Sequence, residues 1–444
     1  MPLKLFNTLG RKKQVFKPIK EKEVSLYSCG PTVYNYAHVG NLRTYITVDI
    51  LKRSLIFLGF KVKHVMNITD VDDKTIRGSK EEGLKLKEFT RKYENIFLGD
   101  LKRLNIILPD VMPRATEHIM EMVKIIKVLL ERGIAYKAED GIYFSVEKSK
   151  GYGKLANLKD IKMKKSRIKN DEYDKESVQD FALWKFYNEE DGDVFWDTVI
   201  GKGRPGWHIE CSAMSEKYLG IPFDIHMGGI DLIFPHHTNE IAQSEAYSGK
   251  KFVNFWIHGG FLTVKEGKMS KSLGNIFTLD ELIKKGYNSL DYRYLTLTTH
   301  YRKSLLFDFE NLTNAKNSLE RLRNIISELK DDRNVNEKYL KDFALAMNDD
   351  LNTPEALAVL WKLVRDEKAV GKFETIKQMD NIFGLDLLKK EEVKIPDEIQ
   401  KLVNEREEAR RGKDFKKSDL LRDKINKLGW KIDDSKDRVK VSKI

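Results

Sequence analysis

The stretch VSLYSCGPTVYNYAHVGN, from Val24 to Asn41, decides the fold class of this chain. Its first five residues, 24–28, predict a short strand, which is followed by a glycine-proline turn and a helical pattern over about 37–58. A second strand is predicted over 61–66. Strand, turn, helix and strand form the βαβ unit of a parallel sheet, which binds nucleotide phosphates at the turn after its first strand. We therefore expect an α/β fold.

The pattern changes after this unit and later returns to it. An amphipathic helix is predicted over 116–131, a strand over 141–146 and an exposed charged loop over 162–176. Segments typical of sheet strands resume at 223–227 and 252–258, and each is followed by glycines. The intervening region is therefore predicted to be an insertion that splits the sheet domain.

The last third of the chain has helical patterns. The predicted elements are a helix over 312–329, a helix with Thr353 as its cap and Pro354 at its first position, a linker over 389–396, and two charged helices over 398–410 and 415–428. No repeat of solenoid period is present in the sequence.

Composition limits the class of protein. The 444 residues are enough for two to four domains, and 41% of them are hydrophobic. Two cysteines cannot form a disulfide framework, which fits the reducing cytoplasm. No apolar run is long enough to span a membrane, so we expect a cytoplasmic protein that does not associate with membranes. Residues 401–444 contain fifteen Lys and Arg against nine Asp and Glu, half of the formal charge of +12. That tail is either a nucleic-acid footprint or a solvated charged helix.

Both cysteines lie in segments that also contain histidine. Cys29 follows the first predicted strand, and Cys211 ends the stretch GRPGWHIEC. In the stretch PHHTNE, His236 and Glu240 are four residues apart, which places them on one face of a helix. Two thiolates, an imidazole and a carboxylate are a suitable ligand set for zinc. A buried cysteine is more often a small hydrophobic residue, however, and His237 is an alternative ligand to His236.

Two further segments suggest phosphate binding. His38 to Asn41 place a histidine, a glycine and an asparagine at a helix start, where side chain and backbone can meet a phosphate. Lys268 to Ser272, KMSKS, form a basic loop between glycines, and mobile lysines can follow charge as it develops on a phosphoryl group. Taken alone, the loop is more simply an ordinary basic turn.

In order and wording these stretches resemble the class I aminoacyl-tRNA synthetases, whose two signatures are written HIGH and KMSKS. The second is intact at 268–272, whereas the first is HVGN and departs at its last position. Within that class the chain is most similar to the cysteinyl-tRNA synthetases, over nearly its whole length and in the same order. The blocks that carry this resemblance are CGPTVYNYAHVGN (29–41), NITDVDDK (67–74), GRPGWHIECSAM (203–214), FDIHMGGIDLIFPHHTNEIAQSEA (223–246) and MNDDLNTPEA (347–356).

The resemblance implies an architecture and an activity. It implies a Rossmann-type catalytic domain in two halves, an inserted connective domain, an α-helical bundle and a small basic C-terminal domain for the tRNA anticodon. Their expected bounds are 1–109 and 196–305, 110–195, 306–390, and 391–444. The implied reaction activates L-cysteine with ATP and magnesium to cysteinyl-adenylate, and then transfers cysteine to the 3′ end of its tRNA. We expect a monomer.

The resemblance also implies roles for individual residues. One zinc ion per chain would be held by Cys29, Cys211, His236 and Glu240, and would also take the thiolate of the substrate. The implied catalytic residues are His38, Lys268 and Lys271, and the ATP-binding residues are these three with Gly40, Asn41 and Ser270. The amino-acid pocket would be lined by Gly30, Thr69, Trp207 and Asp231, of which Asp231 would pair with the ammonium group, and would have His208 and His226 at its floor.

Two other functions compete with this interpretation. A cysteine ligase with the same catalytic half, acting on an amino-sugar acceptor, would have the same sites but would not need a helical and basic region after residue 390. A non-catalytic zinc-bound RNA-binding protein would not need the KMSKS loop or His38. In the tail, Trp430 and Arg438 are expected to meet the anticodon loop by stacking and charge.

Overall fold

The computed structural model describes residues 2–158, 163–168, 178–264, 267–268, 276–389, 396–434 and 439–443. They divide into two compact units, Met1–Leu387 and Leu388–Ile444. Within the described ranges, no helix has both the length and the apolar character needed to cross a membrane.

The first unit combines several small sheets with helices. Its strands are β1 (Lys4–Asn7), β2 (Lys12–Val15), β3 (Glu23–Ser28), β4 (Lys61–Met66), β5 (Ala135–Lys137), β6 (Gly141–Phe144), β7 (Met163–Ile168), β8 (Val178–Phe186), β9 (Gly203–Pro205), β10 (Phe223–Gly229), β11 (Val253–Gly259), β12 (Leu262–Val264), β13 (Gly267–Lys268) and β14 (Leu305–Leu306). Its helices are α1 (Val39–Phe57), α2 (Asp73–Glu81), α3 (Leu86–Arg103), α4 (Ile119–Glu131), α5 (Trp207–Leu219), α6 (Thr238–Ser248), α7 (Leu279–Lys284), α8 (Ser289–Leu297), α9 (Phe309–Ser327), α10 (Glu337–Asn348), α11 (Thr353–Arg365) and α12 (Lys372–Phe383). A π turn over Ile233–His237 leads into α6.

The central sheet is parallel, as predicted. Its strand order is β11-β10-β3-β4, and Leu26 of β3 pairs with Ile225 on one side and His64 on the other. Leu26 and Ile225 are fully buried, because helices cover a parallel sheet on both faces. Since all four strands run in one direction, the residues that follow them meet at a single edge. Cys29 and Asn67 follow β3 and β4 at this edge.

Helix α1 packs against the central sheet and is anchored at its N-terminus and near its middle. His38 is its N-cap, and buried side chains cover most of its nineteen residues. Farther along, Asp49 accepts a hydrogen bond at 2.5 Å from the fully buried Arg293 of α8. The same guanidinium donates to the carbonyl oxygens of Phe383 at 2.6 Å and Leu104 at 2.9 Å. Arg293 therefore joins α1 to α12 and to the C-terminal end of α3.

The inserted region forms a sheet of its own. Its strand order is β5-β6-β8-β7, and β9 also pairs with β8. The prediction of a charged loop over 162–176 is wrong at Met163–Ile168, which forms β7 and pairs in parallel with β8. A strand that pairs along one side uses backbone groups and needs no apolar run, so its charged sequence concealed it. The rest of that predicted loop lies outside the described residues.

The helix predicted to begin with Thr353 as its cap begins one residue earlier. Asn352 is the N-cap, and its side-chain oxygen accepts from the backbone N–H of Glu355 at 3.4 Å. Thr353 is the first helical residue, and Pro354 is the second. Asparagine is at least as good a cap as threonine, and Thr353 is buried instead.

The second unit is small and has its own core. It consists of α13 (Asp397–Arg411), α14 (Phe415–Lys427), β15 (Trp430–Asp434) and β16 (Val439–Lys443), with β15 and β16 antiparallel. The expectation that Trp430 meets the anticodon loop by stacking is wrong, because this side chain is only 7% exposed and packs in the core with Ile399, Leu402 and Ile425. A unit this small needs its largest apolar side chain inside. Arg438 lies outside the described residues.

Asp350 connects three distant segments of the first unit. This fully buried carboxylate accepts hydrogen bonds from the backbone N–H of Phe6 at 2.8 Å, the hydroxyl of Tyr301 at 2.7 Å and Nε of Arg302 at 2.7 Å. The neighbouring Asp349 instead makes an exposed ion pair with Lys13 at 2.7 Å. Two adjacent aspartates therefore make very different contributions to stability.

We predict that Asp350→Ala lowers the free energy of unfolding by about 3 kcal/mol, because it leaves buried donors unpaired. Asp349→Ala is the matched control and should cost less than about 1 kcal/mol, since exposed ion pairs contribute little. Thermal unfolding followed by circular dichroism measures both. Equal thermal midpoints for the two variants would contradict the conclusion that Asp350 stabilises the contact between these segments.

Candidate functional site

The site is built where the ends of β3 and β4 come together. The backbone N–H of Gly30, directly after Cys29, donates to Oδ1 of Asn67 at 2.9 Å. A Cβ added to Gly30 would lie 1.6 Å from the carbonyl oxygen of Asn67, so no other residue fits without moving the backbone. Nδ2 of Asn67 in turn donates to Oγ1 of Thr69 at 3.1 Å. The two loops are therefore held in direct contact.

The four predicted metal ligands meet beside these loops. The ligand atoms of Cys29, Cys211, His236 and Glu240 all lie within 4.8 Å of one another, and all four residues are buried. Cys211 comes from α5, Glu240 from α6 and His236 from the π turn before α6. Nε2 of His236 is 3.0 Å from Oε1 of Glu240, as their spacing of four residues predicted.

A second group of ligands overlaps the first. Cys29, His226, His237 and Glu240 satisfy the same limit of 4.8 Å. Sγ of Cys29 is 3.2 Å from Nε2 of His237, and Nε2 of His226 is 2.9 Å from Oε2 of Glu240. The two sets share Cys29 and Glu240, so the geometry keeps open the choice between the adjacent histidines that the sequence left open.

Hydrogen bonds orient the imidazole rings from behind. Nδ1 of His236 lies 2.8 Å from Nδ1 of His208, which leaves Nε2 of His236 to face Glu240. Nδ1 of His237 lies 2.8 Å from Nε2 of His258, whose Nδ1 is 2.8 Å from the hydroxyl of Thr8. Partners of this kind fix the ring orientation and tautomer of histidine ligands.

Burial and charge oppose each other throughout the cluster. Burial raises the pKa of Cys29 well above its usual value, and Cys211 and Glu240 raise it further. Burial would also raise the pKa of Glu240, but His226 and His236 outweigh it and hold that pKa at about 2. Burial lowers the pKa of His236, but Glu240 and Cys211 bring it to about 10. The carboxylate of Glu240 and the imidazole of His236 therefore each favour the charged form of the other.

This donor set fits zinc. Thiolate sulfur, imidazole nitrogen and carboxylate oxygen are the usual ligands of zinc in proteins. A divalent cation bound here would balance the buried negative charge of Glu240 and of the thiolates.

The predicted pocket residues lie around this cluster. Trp207 stacks on the ring of His236, with centroids 4.2 Å apart and planes at 25°. The buried Thr69 donates to Oε2 of Glu210 at 2.7 Å. Asp231 follows β10 and is exposed, and its charge contributes to the raised pKa of Cys29. Of the four residues, Trp207 contacts a candidate ligand directly, Gly30 follows Cys29 in the chain, and Thr69 bonds Glu210, which precedes Cys211.

The first phosphate-binding candidate is also a helix cap. Nδ1 of His38 accepts from the backbone N–H of Asn41 at 3.2 Å, and Oδ1 of Asn41 accepts from the N–H of His38 at 3.3 Å. A Cβ added to Gly40 would lie 3.0 Å from the His38 ring. For the second candidate, the backbone of Lys268 belongs to β13, whereas Ser270 and Lys271 lie outside the described residues.

Several polar residues of the site were not predicted individually. Asn67 is a polar residue directly after a buried strand, which is a recognisable signal. Glu210 is fully buried beside Cys211, and burial raises its pKa well above the usual value. His258 lies near the end of β11 and supports His237. Neither burial nor the convergence of separate elements was visible in the sequence.

The fold and family are established by comparison with known proteins. The family model for the class I (C) tRNA synthetase catalytic domain matches residues 15–317, the DALR domain matches 342–388, and the cysteinyl-tRNA ligase anticodon binding domain matches 392–441. The methionyl-tRNA synthetase of Mycobacterium tuberculosis shares the fold, with a TM-score of 0.59, 14% identity and coverage of 82% of this chain and 90% of that one. The chain thus has the fold of a class I aminoacyl-tRNA synthetase and belongs to that class.

Full-length relatives narrow the family further. A protein from Protochlamydia amoebophila named cysteine–tRNA ligase is 45% identical over 470 residues, covering 100% of this chain and 98% of the relative. One of the same name from Brachyspira hyodysenteriae is 46% identical over 464 residues, covering 98% of each. The chain belongs to the cysteine–tRNA ligase family.

We predict that Gly30→Ala abolishes cysteine-dependent ATP–pyrophosphate exchange, because the added methyl group forces the turn away from Asn67. Gly99→Ala in α3 is the control, since an added Cβ there meets no atom within 4 Å. It should keep activity and gain about 0.5–1 kcal/mol of stability. Full activity in Gly30→Ala would show that this contact does not shape the pocket.

Proposed function

We propose that the chain activates L-cysteine with ATP and transfers it to the 3′ end of the tRNA specific for cysteine. The observation that carries this proposal is the meeting of Cys29, Cys211, His236 and Glu240 at the carboxyl edge of a parallel sheet, beside the helix that starts at His38. Cysteine is the amino acid whose side chain a zinc-binding set of this kind suits best.

The chemistry requires no protein nucleophile. A carboxylate oxygen of cysteine attacks the α-phosphorus of ATP, the bond to the bridging oxygen breaks, and pyrophosphate leaves with magnesium. A terminal ribose hydroxyl of the tRNA then attacks the carbonyl carbon, and AMP leaves. His38, Lys268 and Lys271 are proposed to stabilise charge on the phosphates, and Gly40, Asn41 and Ser270 to line the ATP site. Positioning and electrostatics supply the rate.

Zinc is proposed to be held by Cys29, Cys211, His236 and Glu240. One feature favours this set over the one with His226 and His237: it contains both thiols. When bound, zinc would favour a substrate thiolate over the hydroxyl of serine, because sulfur is the softer and more acidic ligand. Asp231 is proposed to hold the ammonium group, and Gly30, Thr69 and Trp207 to shape the pocket.

The tRNA is proposed to reach the second unit as well. Residues 401–444 carry half of the formal charge of the chain, and 392–441 match an anticodon binding domain. A ligase for a small amino-sugar acceptor has no use for such a unit, and the comparisons do not support that alternative. A monomeric state and a cytoplasmic location stay predictions.

Metal content distinguishes the two ligand sets. We expect about one zinc ion per chain by elemental analysis of the purified protein. Cys211→Ala, which disrupts only the proposed set, should lose the metal, whereas His237→Asn should retain it at micromolar zinc. Circular dichroism checks that both variants fold. Retention in Cys211→Ala together with loss in His237→Asn would assign the metal to the other set.

Charging of total tRNA tests the reaction itself. We expect labelled cysteine to be attached in the presence of ATP and magnesium, with serine at least about a hundredfold less, because near-isosteres that lack the metal ligand bind poorly. Reactions without ATP serve as the control. Cysteine-dependent pyrophosphate exchange without any charging would favour a different acceptor and refute the role proposed for the second unit.

A further inference from the structure

Arg43 is a buried cation that makes no ion pair with any described carboxylate. Only 2% of the residue is exposed. Its guanidinium donates to three backbone carbonyl oxygens instead: Nη1 to Gly260 at 2.9 Å and to Phe261, and Nη2 to Lys303 at 2.6 Å. Burial lowers the pKa of Arg43, the direction expected when a charge is removed from water. A group this costly to bury calls for an explanation.

The three carbonyls belong to the base of one small sheet. Gly260 and Phe261 join β11 to β12, and Lys303 lies just before β14. Strand β12 pairs in parallel with β14 and antiparallel with β13, in which Thr263 is opposite Lys268. Arg43 therefore donates hydrogen bonds to the base of the sheet that contains Lys268, the first lysine of the KMSKS motif.

The two backbone segments at the base of this sheet also contact each other directly, without Arg43. The N–H of Gly260 donates to the carbonyl oxygen of Tyr301 at 2.7 Å. A Cβ at Gly260 would lie 2.7 Å from the carbonyl oxygen of Lys303 and 2.8 Å from that of Arg302. The two backbone segments are in close contact, and Arg43 bridges them.

On its other side, Arg43 belongs to the start of α1. It lies five residues after His38, the cap of that helix. The first turn is fixed as well, since the N–H of Val39 donates to the carbonyl oxygen of Phe277 at 2.8 Å and its carbonyl oxygen accepts from the hydroxyl of Tyr292 at 2.5 Å. One side chain thus links the helix that carries His38 to the strands that lead to Lys268.

We propose that Arg43 is a positioning residue for the activation step, which holds β12 and the backbone of Lys268 at a fixed place relative to His38. The inference rests on the proposed function, in which His38 and Lys268 act on the same phosphates. Arginine suits this role because its planar fork directs several N–H groups to separate acceptors, whereas lysine presents a single nitrogen. A small misplacement of groups that stabilise charge is enough to slow such a reaction.

Arg53 of the same helix provides a matched control. Its guanidinium donates to the carbonyl oxygens of Asn381 at 2.9 Å and Asn105 at 2.5 Å, and its Nε donates to Asp49 at 2.7 Å. Like Arg43, Arg53 donates to backbone carbonyl oxygens, but these belong to α12 and to the turn after α3, away from β12, and Arg53 also pairs with Asp49. Replacing Arg53 should therefore lower stability without moving Lys268.

The test compares Arg43→Lys, Arg43→Gln and Arg53→Gln in the full-length protein loaded with zinc. Cysteine-dependent ATP–pyrophosphate exchange gives kcat and KM, and thermal unfolding gives stability. We expect Arg43→Gln to lower kcat by about 10- to 100-fold with the KM for cysteine within about twofold of wild type. Arg43→Lys should recover only part of the rate, and Arg53→Gln should keep wild-type kcat despite a lower thermal midpoint.

Two results would overturn the inference: equal kcat in Arg43→Lys and wild type, or equal losses in Arg43→Gln and Arg53→Gln. If Arg43→Gln does not fold, the kcat of Arg43→Lys alone decides whether Arg43 has a positioning role or only a structural one. Failure of the wild-type protein to catalyse the exchange would instead contradict the proposed function. That result is distinguishable from a failure of the inference about Arg43, which concerns only differences between variants.

Discussion

The carboxylate of Glu240 is the group on which the rest of the site depends. It is fully buried, and an ionised carboxylate without partners in such a place would cost several kcal/mol. His226 meets one of its oxygens at 2.9 Å, and His236 meets the other at 3.0 Å. These imidazoles come from β10 and from the turn before α6, so the sheet and the helix must both be in place before the charge is compensated. The fold and the cluster therefore stabilise each other.

The parallel sheet explains why such a cluster forms at this position. Loops that follow parallel strands converge at one edge, and here the loops after β3 and β4 approach so closely that only glycine fits at position 30. Cys29 lies near the start of α6 because β3 pairs with β10, which leads into the turn before α6, and α5 supplies Cys211. Residues more than 200 positions apart in sequence thus meet in one cluster.

The sequence was sufficient for elements in which apolar residues recur. Strand β4 has the predicted bounds, and α1, which is buried over most of its length, lies within the predicted helix. Strand β7 was missed because its charged sequence gives no such pattern.

Trp430 was misassigned for a related reason. An aromatic residue in a basic tail is compatible both with RNA stacking and with a small core, and only the structure shows that it is buried. The predicted metal ligands do meet, because their residue types and the helical spacing of His236 and Glu240 narrowed the possibilities. The sequence does not decide between His236 and His237 as the ligand, because the two histidines are adjacent and both are buried. Support from His208 and His258 depends on tertiary contacts that the sequence does not encode locally.

The departure of the first signature from HIGH to HVGN has a structural consequence. Because the backbone N–H of Asn41 donates to Nδ1 of His38, that nitrogen must be unprotonated, and the neutral ring then carries its proton on Nε2. Asn41 completes the arrangement, since its side-chain oxygen accepts from the N–H of His38. The cap thereby fixes both the orientation and the tautomer of the ring before any ligand arrives. A histidine fixed in this way presents a hydrogen-bond donor, the form that a phosphate oxygen requires, which fits the role proposed for His38.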